Sequence, residues 1–139
     1  MGLADRELSW GCSRVTPADR CLTYLAAFAT GDAGAVVDNV SDDFVNEHTA
    51  TLGTGCTGRD AYARRVPGFL ASMPGLYYDV EDVVADGDRV VVAYTLHTHV
   101  NHRDVAVRGV MRFRVEDGLI AHRVDYWDSL VFKQQAGLE

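Results

Sequence analysis

The chain has 139 residues, 47% hydrophobic and 24% charged, an ordinary balance for one globular domain with its own core and too apolar for a disordered chain. Twenty acids against 13 Lys and Arg give a net charge of −7, and the arginines are scattered among the acids, which argues against nucleic acid as the main partner. No apolar stretch approaches the roughly 20 residues that span a bilayer, and the acid-bearing start lacks the regions of a signal peptide, so a cytoplasmic protein with no membrane partner is expected.

Residues 1–15 read as an N-terminal lead-in with Trp10 as its one large anchor, and residues 16–139 as a single domain. Cys12, Cys21 and Cys56 fit no metal-ligand spacing, and their odd number favours reduced, packing cysteines. The run Thr16-Pro17-Ala18-Asp19 is a helix start: Thr16 caps, Pro17 suits the first helical position, and Asp19 completes a capping box. That helix is expected to reach about Thr30 and stop at Gly31. Ala18, Cys21, Leu22, Leu25, Phe28 and Ala29 form its apolar stripe, with Tyr24 at the edge.

A second short helix fits residues 33–40, and residues 44–50 read as a strand on which Asn46 and His48 share a face. Residues 51–58 form a loop whose three glycines lack the spacing and basic residue of a phosphate loop. Residues 59–73 read as a third helix, which Pro67 and Gly68 are expected to kink or split. Strands then follow at 77–85, 89–101, 104–115 and 119–128. Their turns fall at Asp86-Gly87-Asp88, His102-Arg103 and Glu116-Asp117-Gly118, and the tail 129–137 suits a short helix. Helices first and a long antiparallel meander afterwards read as α+β, with helices on one face of a curved sheet.

Face by face, Val90, Val92, Tyr94, Leu96, Thr98 and Val100 are mostly apolar. The opposite face begins with Val91 and Ala93 and ends with His97 and His99, a gradient that suits the mouth of a pocket and directs His97 into it. Arg108, Arg112 and Arg114 share a face suited to solvent or a subunit contact, and Gly109 marks a bulge or bend. On the last strand Leu119, Ala121, Arg123, Asp125 and Trp127 share one face, opposite Ile120, Val124 and Tyr126. A carboxylate beside Trp127 on a buried face is costly unless paired or neutralised, and such sites often hold a general acid or base. No zinc-ligand spacing and no nucleophile-elbow serine accompany it, so no metal is expected.

Four runs carry a family resemblance: Thr23-Tyr-Leu-Ala-Ala-Phe-Ala-Thr-Gly-Asp32, Ser41-Asp-Asp-Phe-Val-Asn-Glu-His48, Val83-Val-Ala-Asp-Gly-Asp-Arg-Val-Val-Val92, and Glu116-Asp-Gly-Leu-Ile-Ala-His-Arg-Val-Asp-Tyr-Trp-Asp128. They resemble the nuclear transport factor 2-like superfamily, in particular its SnoaL-like polyketide cyclases and ketosteroid isomerases. The resemblance implies a cone of strongly curved, mostly antiparallel sheet closed by three N-terminal helices around a deep pocket. It also implies a homodimer and chemistry with no cofactor.

Carried over residue by residue, Tyr24 falls where steroid isomerases keep an oxyanion-hole tyrosine, and His48 where they keep an aspartate base. Met111 or Gly109 falls near their second donor, a protonated acid. Asp125 falls near the aspartate of cyclases and limonene-epoxide-hydrolase-like proteins, and Asn46 with His48 resembles the polar pair that positions water in the hydrolases. The Arg-x-Asp partner of that hydrolase site appears here as Thr95-Leu96-His97. The expected catalytic set is therefore Asp125, His48, Tyr24, His97 and Asn46, with Trp127, Phe28, Met111 and Phe113 against the ligand. The expected function is proton transfer on a small, mainly apolar carbonyl compound of polyketide or steroid type, as cyclase, isomerase or dehydratase. A non-catalytic ligand-binding or dimerisation module and an epoxide hydrolase are the alternatives.

Overall fold

The computed structural model describes residues 15–138; residues 1–14 of the N-terminal lead-in, with Trp10 and Cys12, lie outside the described residues. The first helix, α1 (Pro17–Ala27), begins with the capping box read from the sequence: Thr16 Oγ1 accepts from the Asp19 N–H and the Asp19 carboxylate accepts from the Thr16 N–H, each at 3.1 Å. A 3-10 turn, Phe28–Thr30, continues it to Gly31, whose φ of 74° suits a residue without a side chain. The tighter turn carries Ala29 out to solvent, and Tyr24, expected at the edge of the stripe, is completely buried.

Helix α2 (Ala33–Val37) is shorter than the 33–40 expected, because Val40 already opens strand β1 (Val40–His48). After the two-residue strand β2 (Cys56–Thr57), helix α3 (Arg59–Ser72) runs unbroken through Pro67. The hydrogen bond that proline removes would have ended on Ala63, and both residues lie on the exposed side, where water satisfies the freed carbonyl.

Strands β3 (Tyr77–Asp86), β4 (Arg89–Val100), β5 (Arg103–Glu116) and β6 (Leu119–Trp127) form the antiparallel meander, and helix α4 (Ser129–Ala136) follows. The β4–β5 turn is Asn101-His102, one residue earlier than expected, with φ of 54° and 62°; the β5–β6 turn is Asp117-Gly118, with 50° and 79°. The six strands lie in the order β2-β1-β6-β5-β4-β3. Strand β1 is parallel to β6, which sets Asn46 beside Arg123 and His48 beside Asp125.

Three irregularities interrupt the pairing of this curved sheet, one of them between Val40 and Val45 in the β1–β6 pairing. Glu81 is skipped in the β3–β4 pairing and Ala121 in the β5–β6 pairing. The irregularity at Ala121 corrects the face assignment of the last strand. Val115 pairs with Ile120 but Phe113 with Arg123, so Ile120 joins Arg123, Asp125 and Trp127 on the inner face. The main core lies between that face and the helices, with Tyr24, Leu25, Phe44, Val92, Met111, Phe113 and Ile120 at its centre. A smaller core of Val105, Val107 and Ala136, with Trp127 and Phe132 against it, attaches α4 to the sheet. Cys21 is buried in the main core, where burial pushes its thiol up to about 12.

Candidate active site

Asp125 is 3% exposed, on the inner face of β6. Its burial is matched by two donors. Tyr94 on β4 donates its hydroxyl to Oδ1 at 2.5 Å, and Arg123, two residues before Asp125 on the same strand, donates Nη2 to Oδ2 at 2.8 Å. Burial and the neighbouring Asp125 both push the Tyr94 hydroxyl upward, so it holds its proton and stays a donor. Gly109, opposite Tyr94 in the β4–β5 pairing, makes room for that ring: a Cβ at 109 would lie 2.4 Å from the Tyr94 hydroxyl. Close approach therefore explains this glycine, which lies in regular pairing and not at a bulge.

Arg123 is the hub. It is 4% exposed, and its Nη1 donates to the Tyr24 hydroxyl at 2.8 Å. Tyr24 in turn shares a short hydrogen bond with Tyr62 of α3. Burial works against the guanidinium charge, but Tyr24, Asp125 and Tyr62 more than offset it, and the charge is held firmly. Burial raises the Tyr24, Tyr62 and Tyr78 hydroxyls, so this cluster is one cation, one carboxylate and neutral phenols.

His48 stands beside this pair without bonding to it. Its Nδ1 lies 3.8 Å from Asp125 and accepts a hydrogen bond from Trp127 Nε1 at 3.1 Å. An indole nitrogen only donates, so Nδ1 carries the lone pair and the imidazole proton sits on Nε2. Burial, reinforced by the Arg123 charge and only partly offset by Asp125, lowers the His48 pKa to about 4. At neutral pH His48 is thus an uncharged ring with an Nε2–H to offer, a donor and not a base.

Two adjoining cavities share His48, Phe69 and Arg123. The larger, about 300 Å³, is lined also by Phe28, Asn46, Tyr62 and Arg65. The smaller, about 60 Å³, is walled by Asp125, Tyr94, Tyr78, Trp127 and Phe132. Asn46 is 6% exposed, and its Oδ1, like Arg123 Nε, has no hydrogen-bond partner among the described residues.

Of the residues expected at the site, Asp125, His48, Asn46, Trp127 and Phe28 line this double cavity. Tyr24 lies behind it and holds Arg123. Met111 and Phe113 pack in the core and line neither cavity; Phe113 meets the Tyr24 ring edge-on at 6.0 Å between centroids. His97 is elsewhere. The Val90–Thr98 face of β4 is the inner one, so His97 faces out, stacks on Tyr77 at 4.6 Å and lies 4.0 Å from Asp79. Arg123, Tyr94 and Tyr62 were missed. Arg123 was legible in part, two residues from Asp125 and therefore on its face; the Tyr62 contact depends on how α3 crosses the sheet.

Residues 22–123 match the family model described as the SnoaL-like domain, a span that holds Tyr24, Asn46, His48, Tyr62, Tyr94 and Arg123 and stops short of Asp125. No curated protein matches the chain significantly. Among solved structures, a Catenulispora acidiphila protein with a ketosteroid isomerase-like fold, in complex with trimethylamine, is 19% identical with a TM-score of 0.80, over 89% of this chain and 95% of its own. A Shewanella denitrificans protein assigned provisionally to the SnoaL-like polyketide cyclases is 17% identical with a TM-score of 0.77, over 87% and 96%. An LEH-like epoxide hydrolase of M. tuberculosis is 22% identical with a TM-score of 0.74, over 86% and 88%. At these identities the likeness is one of fold.

Proposed function

We propose a function from the premise that this chain belongs to the SnoaL-like domain family: it moves a proton at carbon beside a carbonyl in a small, mainly apolar compound of polyketide or steroid type. The observation that carries the reading is the Asp125 carboxylate in a cavity wall, fixed by Tyr94 and Arg123, with His48 3.8 Å away. A carboxylate with two bonds accepted keeps further lone pairs, so Asp125 has capacity to take a proton. Arg123 and His48 line both cavities, and their N–H groups are the donors for the enolate oxygen that forms as the proton leaves. Isomerisation, aldol-type cyclisation and dehydration all begin with this step.

Uptake of deuterium from D2O into a panel of aryl ketones and β-diketones, followed by NMR, tests it. Asp125→Asn is expected to slow uptake at least about 100-fold with far-UV circular dichroism unchanged; wild-type uptake in a folded variant removes Asp125 as the base. Epoxide hydration is the second reading, favoured by the unpartnered Oδ1 of Asn46 beside Arg123, an acceptor suited to holding an attacking water. It requires diol formation from bulky epoxides, and failure across a varied panel would end it.

A further inference from the structure

The larger cavity carries the wrong charge for a purely apolar substrate. Among the described residues its lining includes two guanidiniums, Arg65 and Arg123, and no carboxylate, in a protein whose net charge is −7. Asp125 lines the neighbouring lobe, where one of its oxygens is already matched by Arg123 Nη2. Arg65 has no acidic partner within ion-pair distance among the described residues. It is held by neutral carbonyls, with Nη1 on Gly55 O at 2.6 Å and Nη2 on Thr54 O at 3.1 Å. A guanidinium has five N–H donors, so a fork fixed in this way by two carbonyls keeps its charge and further donors for a ligand. Arg123 adds a buried Nε with no partner. Both arginines also push His48 away from its cationic form, the mark of a positive potential in the cavity. The smaller lobe is the opposite in character: Met73, Leu96, Val107, Trp127 and Phe132 make it apolar.

The geometry points to a keto acid as the substrate class: its carboxylate lies against Arg65 and Arg123 in the larger lobe, its apolar end lies against Trp127 in the smaller one, and its ketone lies between, beside His48. A carboxylate on a guanidinium makes charge-assisted hydrogen bonds, about twice as strong as neutral ones. Such a ligand supplies the anion that the larger lobe lacks. It also sets the carbon next to the ketone beside Asp125.

The orientation of the ketone rests on the proton-transfer reading above, whereas the charge preference is measured apart from it. Phenylpyruvate and its methyl ester form a matched pair, and their binding is followed by calorimetry. The wild-type protein is expected to bind the acid at least about tenfold more tightly than the ester. Arg65→Gln should abolish the preference. Arg65→Lys loses the fork on the loop carbonyls but keeps the charge, so it should retain most of the preference and separate charge from loop support. Equal affinity for acid and ester in the wild type, no binding of either, or a preference that survives Arg65→Gln overturns the keto-acid assignment. Deuterium uptake into both probes reports the chemistry separately. Uptake that does not need Asp125, with the acid preference intact, would remove the catalytic reading and leave the anion site standing. Uptake that needs Asp125 but favours the ester would do the reverse.

Discussion

His48 illustrates how one hydrogen bond decides a residue's chemistry. A histidine 3.8 Å from a buried aspartate invites reading as an ion pair. The Trp127 indole on Nδ1 excludes that in the resting protein, since Nδ1 cannot accept from Trp127 and donate to Asp125 at once. With Arg123 beside it and a pKa lowered to about 4, the ring is neutral and presents Nε2–H. Nitrogen-15 NMR at pH 7 should therefore find the Nε2–H tautomer; an imidazolium spectrum would contradict the assignment. If that N–H holds the enolate oxygen, His48→Ala should cost about 100- to 1,000-fold in deuterium uptake, the usual loss of one such donor. His48→Gln, whose amide also donates, should recover part of it. Equal losses in both variants would mean that the ring is needed for packing against Trp127 and not for its proton.

At the scale of elements, glycines separate what a strand demands from what a helix tolerates. A Cβ at Gly109 on β5 would come within 2.4 Å of the Tyr94 hydroxyl and 2.7 Å of the Tyr126 carbonyl, whereas one at Gly68 on α3 meets nothing within 4 Å. Gly109→Ala should destabilise the protein by about 1–3 kcal/mol through overpacking and displace Tyr94 from Asp125. Gly68→Ala should stabilise it by about 0.5–1 kcal/mol by removing backbone freedom from a helix. Urea unfolding of the two variants measures both signs, and a neutral Gly109→Ala would mean that Tyr94 is not confined there. The same pair shows what a sequence can reveal. The α1 start was legible because a capping box is local, four residues answering one another. The division of β4 and β5 into faces was legible from alternation, but not that the face carrying Tyr94 is the inward one. The contact of Tyr94 with Asp125 was not legible either, because it needs three strands in register. Nor was the parallel docking of β1 on β6, which places His48 beside a residue 77 positions later. Alternation alone misdirected His97, since it divides a strand into two faces without saying which one the helices cover. It also failed at Ala121, where the bulge moves Ile120 to the inner face.

The whole molecule joins an overall net charge of −7 to a buried imidazole held neutral, and its stability should show the difference as pH falls. His48 titrates at 6.5 in its ordinary form and at about 4 in the folded protein. Below pH 6.5 the unfolded chain takes up a proton that the folded one refuses. Stability from this group is complete above 6.5, declines through the window down to about 4, and falls no further below it. The full drop corresponds to about 3 kcal/mol, a large share of a typical stability of about 5–15 kcal/mol. The surface works in the opposite direction over part of this range. A net charge of −7 repels itself, and protonating exposed acids relaxes that repulsion. The two are separated by difference: urea unfolding of the wild type and of His48→Gln at pH 7 and pH 4.5 shares the surface contribution and differs in the buried ring. The wild type should lose about 2–3 kcal/mol more than the variant between those values. An equal loss would mean that His48 accepts its proton in the folded state at its ordinary pH, and that neither its burial nor the Arg123 charge holds the ring neutral.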